Sequence, residues 1–214
     1  MKGKEFLDYI LVQQYQNSAT YKIGKTNKQS HLKYSLKHTS VFNLTDMDSE
    51  GSKPGNYKTI AHEVGHLVNN INNPSWFKKL LLFQYLFFTF AGISIIYALF
   101  YLGYIYIQGF SYDVLYVFLV VMSLVSVTLG GYFAAIKTKD EEFADQNAEL
   151  LINKYLKDAL KHYGNSGNVL QIYNSTLKVL QEESKKFRNN YRVIITAVSL
   201  VPLIGLVIAH VTNM

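Results

Sequence analysis

Three stretches of this chain leave its backbone few choices: about Phe77 to Ile107, Val114 to Ile136, and Val193 to Val211. Apart from Lys78 and Lys79 at the boundary of the first, none contains an Asp, Glu, Lys or Arg, and each is about twenty residues or longer. In hydrocarbon every backbone N–H and C=O must be satisfied within its own segment, so stretches of this length are expected to be membrane-crossing helices. Mean hydropathy is only +0.05, because the apolar residues are segregated rather than scarce. The first stretch is rich in Tyr and Phe, which places its ends in the interfacial layer. Pro202 lies inside the last, where a kink is expected. The expected fold class is therefore mainly α, a polytopic membrane protein with three transmembrane helices.

All 21 Lys and Arg fall in residues 1–79 and 137–192. The connection Gln108 to Asp113 and the tail His210 to Met214 contain none. The positive-inside rule then places both basic segments in the cytoplasm, with the short connection and the C-terminus outside. A basic flank against anionic lipid accounts for the net charge of +6, so nucleic acid is not an expected partner. Met1 to Tyr57 lacks the continuous apolar core of a signal peptide, and insertion is expected to start from the first internal span. The layout reads as one membrane-embedded domain over 1–214. It divides into a cytoplasmic part (1–76), a transmembrane hairpin (77–136), a second cytoplasmic part (137–192) and a closing span (193–211).

The motif that carries chemistry lies just before the first span, in Thr59-Ile60-Ala61-His62-Glu63-Val64-Gly65-His66-Leu67. On a helix His62 and His66 lie one turn apart on the same side, where their imidazoles can grip one Zn²⁺. Glu63 between them reaches the water that such a metal polarises, as His-Glu-x-x-His requires. With His62 at 0° and 100° per residue, His66, Asn69, Asn70 and Glu63 fall between about −20° and 100°, whereas Ile60, Val64, Leu67 and Ile71 cluster at about 140° to 200°. Gly65 is a poor helix former, which marks a place where another group approaches closely. The helix is expected to end near Asn72-Asn73-Pro74.

The chain has no cysteine, so any metal must be held by His, Asp and Glu. Catalytic zinc takes three protein ligands, and the third is sought just past the second span, in Asp140-Glu141-Glu142-Phe143-Ala144-Asp145. This segment is expected to be a helix running to about His162, continuous with the span before it. With Glu141 at 0°, Asp145, Ala148, Ile152, Tyr155 and Ala159 fall within about 40° of it, and Glu142 turns away to near 100°. Glu141 is therefore the expected metal ligand, and Asp145 the acceptor that orients His62 or His66. The hairpin between the motifs returns both to one side of the bilayer.

This arrangement resembles membrane-bound zinc metallopeptidases of the HtpX and CAAX-prenyl-protease type. The overall layout also resembles neutral membrane zinc peptidases of the YugP type, where a short segment precedes an Ala-His-Glu-Val-Gly-His helix, a hairpin and a ligand helix. Gly3-Lys4-Glu5-Phe6 with Ile10-Leu11 is similar to that family's opening helix, and Val41-Phe42-Asn43-Leu44-Thr45 to its strand before the motif. Unlike either family, no apolar span precedes the motif here. The resemblance implies a zincin-like helical site beside the membrane and hydrolysis of peptide bonds, in peptides or membrane proteins at the cytoplasmic face. Glu63 would be the general base, and His162, Tyr155 or Arg188 are candidates for stabilising the oxyanion.

Thr20 to Ile23 and Thr39 to Thr45 have strand-like content and are expected to form a small β-hairpin, which either braces the helix or offers an edge to substrate. Gly164-Asn165-Ser166-Gly167 reads as a turn, with Ser166 or Asn168 capping a helix over about Val169 to Arg188. The stripe Leu170, Tyr173, Leu177 and Leu180 is expected to face the core of that helix's packing. Lys185-Lys186-Phe187-Arg188 and Arg192 are expected at lipid headgroups. The alternative function is a non-catalytic membrane protein, an immunity factor or scaffold, that keeps the metal as a structural clamp. A transporter reading finds no support, because the spans contain no acidic residue.

Overall fold

A computed structural model describes residues 1–15, 21–33, 40–109, 114–164 and 167–211. The elements are α1 (Gly3–Tyr15), β1 (Tyr21–Lys25), β2 (His31–Lys33), β3 (Ser40–Leu44), α2 (Asp46–Glu50), α3 (Pro54–Asn72), α4 (Pro74–Gln108), α5 (Val114–Leu151), a π-helical turn (Ile152–Leu156), α6 (Lys157–His162) and α7 (Val169–Val211). The chain is mainly helical, with a small three-stranded sheet near its N-terminus. Three of its helices are long and apolar enough to cross a membrane. They belong to α4, to α5 with its extension to His162, and to α7. The chain divides into two compact units, Met1–Pro74 with Asp140–Phe187, and Ser75–Lys139 with Arg188–Met214.

In the first unit, apolar side chains from helix and sheet meet in one core. Phe6, Leu7, Ile10 and Leu11 of α1 pack with Phe42 and Leu44 of β3 and with Tyr57, Ile60, Ala61 and Val64 of α3. Ala148, Leu151, Ile152 and Leu156 close that core from the end of α5 and the π turn. Helix α3 starts with Pro54, whose missing N–H costs nothing at a first-turn position. Asn56 Oδ1 accepts the Lys53 N–H at 2.9 Å and satisfies one of the donors at that end. The helix stops at Asn72 as its sequence predicts, since Pro74 opens the next one.

The sheet departs from the expected hairpin. β1 and β3 do pair, from Tyr21↔Ser40 to Lys25↔Leu44, but they run parallel. β2 takes the other side of β3, antiparallel, so the strand order is β1-β3-β2. Parallel neighbours need a crossover of a dozen or more residues, and residues 26–39 are long enough to provide it. A short strand in that connection found the free edge of β3. The expected strand ends Thr20 and Thr39 lie outside the described residues, as do Asn165 and Ser166 of the expected turn. Gly164 has a φ of 82° at the end of α6, a left-handed conformation that glycine adopts without strain.

Helix α7 is one helix of 43 residues, where the sequence suggested two, and it runs through Pro202. Its core stripe is also rotated from expectation. Leu180 is buried, and Tyr173 and Leu177 pack against the core, but Leu170 is 65% exposed while Val169 and Thr176 are buried. Apolar residues cover about half of the helix surface here, which made that phase ambiguous. In the second unit the buried residues of α4 recur at alternating intervals of three and four, Phe87, Ala91, Ser94, Ala98, Tyr101 and Ile105. That is the spacing of helices packed side by side. Gly130 of α5 sits where an added Cβ would lie 2.6 Å from the Ser199 Cβ, so α5 and α7 approach closely. Hydroxyls along these helices bond back to carbonyls one turn earlier, Ser94 to Phe90 at 2.7 Å and Ser123 to Leu119 at 2.7 Å. A polar group in apolar surroundings needs such a partner.

Phe42→Ala removes a side chain with no exposed surface from the first core. It should destabilise that unit by about 3–5 kcal/mol, read as a lowered midpoint in chemical denaturation.

Candidate metal centre

The centre is built by two helix segments of the first unit, α3 and the end of α5. They approach closely at Gly65, where a Cβ would lie 2.3 Å from the Ala144 carbonyl oxygen. Only glycine allows that distance, which explains the residue that the helix tolerates poorly. Asn147 Nδ2 donates to the Gly65 carbonyl at 3.2 Å and fastens the crossing. His62 and His66 stand three residues before and one after Gly65. Glu141 and Asp145 stand three before and one after Ala144. The two sets face each other across the contact, and His62, His66 and Glu141 each place a ligand atom within 4.8 Å of the others.

Both imidazoles turn Nε2 inward. His62 Nε2 lies 3.2 Å and His66 Nε2 3.7 Å from the same oxygen, Glu141 Oε2. Ligands at about 2.0–2.1 Å from a tetrahedral zinc stand about 3.3–3.4 Å apart, so these separations fit one ion. The other ring nitrogens face carboxylates. His62 Nδ1 is 2.9 Å from Asp145 Oδ1, and His66 Nδ1 is 3.3 Å from Asp140 Oδ2. At His62 the hydrogen bond to Asp145 holds the proton on Nδ1, fixes the ring and leaves the Nε2 lone pair for a metal, while Asp140 faces His66 at ion-pair distance. Asp140 is itself braced by Asn69, whose Nδ2 donates to its Oδ1 at 3.2 Å. The group His62, His66 and Glu141 can therefore hold a metal ion.

The helical phase argument separates the two glutamates as expected: Glu141 is buried and Glu142 exposed. Asp145 reaches His62 rather than His66. Asp140, the carboxylate opposite His66, was not singled out from sequence. The signal was present in the antiparallel crossing: with Asp145 opposite His62, the partner of His66 must come from about one turn earlier on α5. Glu63 is also buried, and its Oε2 accepts the backbone N–H of Leu32 at 2.7 Å. The expected oxyanion candidates have other surroundings. Tyr155 donates its hydroxyl to Gln14 at 2.8 Å, His162 packs on the rings of Tyr9 and Tyr163, and Arg188 belongs to the second unit.

Burial pulls the His62 pKa down, but hydrogen bonds donated to Asp145 and Glu141 outweigh it and raise the net value above 6.5. In the metal-free protein the folded state thus binds this proton more tightly than the unfolded chain does. The stabilisation is full below about pH 6.5 and disappears as pH rises through the higher folded value. A proton on His62 and a metal compete for one lone pair, so metal affinity should fall on acidification through that raised pKa, measured by competition titration.

Protein-family models, curated proteins and solved structures contain no match to this chain.

Asp145→Asn keeps the shape but weakens the acceptor for His62 Nδ1–H. It should lower zinc affinity about 10–100-fold without unfolding the unit, as read with a chelating indicator. Gly65→Ala should prevent the helices from closing, with loss of metal binding and about 1–3 kcal/mol of stability.

Proposed function

We propose that this protein is a membrane-embedded zinc-dependent endopeptidase whose active site is the group His62, His66 and Glu141, with Glu63 as general base. The observation that carries the reading is the convergence of a His-Glu-x-x-His helix and a distant glutamate, with a carboxylate behind each histidine. A structural metal site needs closed coordination, commonly with a fourth protein ligand. Here the described residues supply three, and the motif brings a carboxylate suited to proton transfer. The resemblance to membrane zinc metallopeptidases supports the same conclusion through those residues.

His62, His66 and Glu141 would hold the ion, and zinc so bound would lower the pKa of water toward about 7 and polarise a carbonyl. Glu63 then takes the proton from the attacking water and passes it to the departing amine, which is the role of a carboxylate placed beside the reaction. Asp145 and Asp140 keep the rings oriented and stabilise positive charge on them. The three apolar helices fit a multi-pass protein of the cell membrane. The basic segments 1–79 and 137–192 fit a cytoplasmic active site acting on peptides or on parts of membrane proteins near the bilayer.

Glu63→Gln is the decisive variant. It should bind zinc as the parent does and lose at least about 100-fold in hydrolysis of a quenched fluorescent peptide mixture. A parent protein that binds zinc and cleaves nothing, with no difference in the variant, would instead favour the structural clamp.

A further inference from the structure

Strand β2 is too short to contribute much to the sheet, yet it is held at its start through Asp48 of α2 and at its middle by α3. At its start, Ser30 is buried, donates its hydroxyl to Asp48 Oδ2 at 2.6 Å and accepts the Thr45 N–H at 2.9 Å. Asp48 is held in turn by Thr45 Oγ1 at 2.9 Å and by Asn56 Nδ2 of α3 at 3.2 Å. In the middle of the strand, the Leu32 N–H reaches Glu63 of α3 at 2.7 Å. Asn56 and Glu63 are seven residues apart, two turns on one face. The path Asn56, Asp48, Ser30, Leu32, Glu63 therefore closes on α3 and fixes β2 across the face that bears the general base.

The register gives this contact its meaning. Among the described residues β2 is an edge strand, paired only with β3, and Leu32 lies opposite Phe42. Successive residues of an antiparallel edge strand turn their backbone groups alternately toward and away from the neighbour. Because the Leu32 N–H goes to Glu63, it points away from β3, while the Leu32 side chain is buried in the core. Glu63 thus takes up an outward donor that a bare edge would leave open. Its other oxygen, Oε1, meets no donor among the described residues. A carboxylate with one oxygen pinned keeps its plane fixed and its second oxygen available for a proton.

We propose that β2 is a positioning element for Glu63, the Leu32 N–H holding one carboxylate oxygen so that the other is presented to the reacting water. This rests on the peptidase reading for its consequence, but the clamp itself does not. Leu32 acts through its backbone and through Glu63, so it is a positioning residue and not a catalytic one.

Two measurements on the full chain in detergent or nanodiscs test it. The first is amide deuterium exchange at Leu32, resolved by fragmentation. Glu63→Ala should speed that exchange by at least about tenfold, because an outward edge N–H without its acceptor is open to water. Unchanged exchange overturns the proposal whatever the protein's activity. The second compares Leu32→Pro, which deletes the donor at a position where an edge strand tolerates proline, with Leu32→Ala, which keeps the donor and loses packing. With zinc content equal to the parent, the proline variant should fall at least about tenfold further in kcat than the alanine variant, with KM within about threefold. Equal kcat in the two variants overturns the positioning role. Should Leu32→Pro lose zinc or fail to fold, or the parent cleave no peptide, the exchange measurement alone decides the clamp. A silent parent sinks the peptidase reading separately.

Discussion

The backbone of Ala144 lies where a side chain on residue 65 would have to be. This contact sets how near α3 and the end of α5 can come, with the Asn147 amide fastening it. Ordinary helix pairs pack side chain against side chain at 8–10 Å between axes, and a Cβ on residue 65 would meet the Ala144 backbone here. Removing one Cβ lets the backbones close, and the residues three before and one after the contact on each helix are brought together. His62 with His66, and Glu141 with Asp145, occupy those positions. The metal-ligand group is thus a consequence of helix packing at a glycine, and the chemistry inherits its geometry from that packing.

Burying three ionisable side chains at one point is unfavourable unless each has a partner. The site answers this with further carboxylates. Asp145 and Asp140 face the outer nitrogens of the two histidines, and Asn69 holds Asp140. One effect is to choose, at His62, the tautomer that frees Nε2. Another is that Asp145 and Glu141 outweigh burial and raise the His62 pKa. The opposite face of α3 packs into the core of α1, β3 and the π turn. The helix is therefore buried on both sides, and its ligand face is an interface rather than a solvated surface.

The sheet adds a wall that composition alone did not foretell. Its two longer strands were legible from their β-branched and aromatic residues, but strand direction depends on how far the chain travels between them. The intervening residues hold a third strand, and the hydrogen bond from Leu32 to Glu63 connects that strand to the motif helix. Nothing in the side chain of Leu32 encodes the bond, because the donor is backbone. A similar limit affected α7, where Leu170 and Val169 are equally apolar and only packing selects which one is buried.

Local periodicity determined much of this protein. Long uncharged runs dictated helices, because an apolar surrounding gives the backbone no other way to satisfy its hydrogen bonds. Helical phase placed His62 beside His66, set Glu141 apart from Glu142, and put Asp145 one turn beyond Glu141; these are properties of a single helix and can be read at 100° per residue. Tertiary structure decided what no single helix contains: that Ala144 meets Gly65, that Asp140 stands behind His66, and that β1 runs parallel to β3. It also decided that a backbone N–H from an edge strand takes hold of Glu63. Such facts depend on the distance and direction between segments far apart in the chain, which the whole packed core fixes at once.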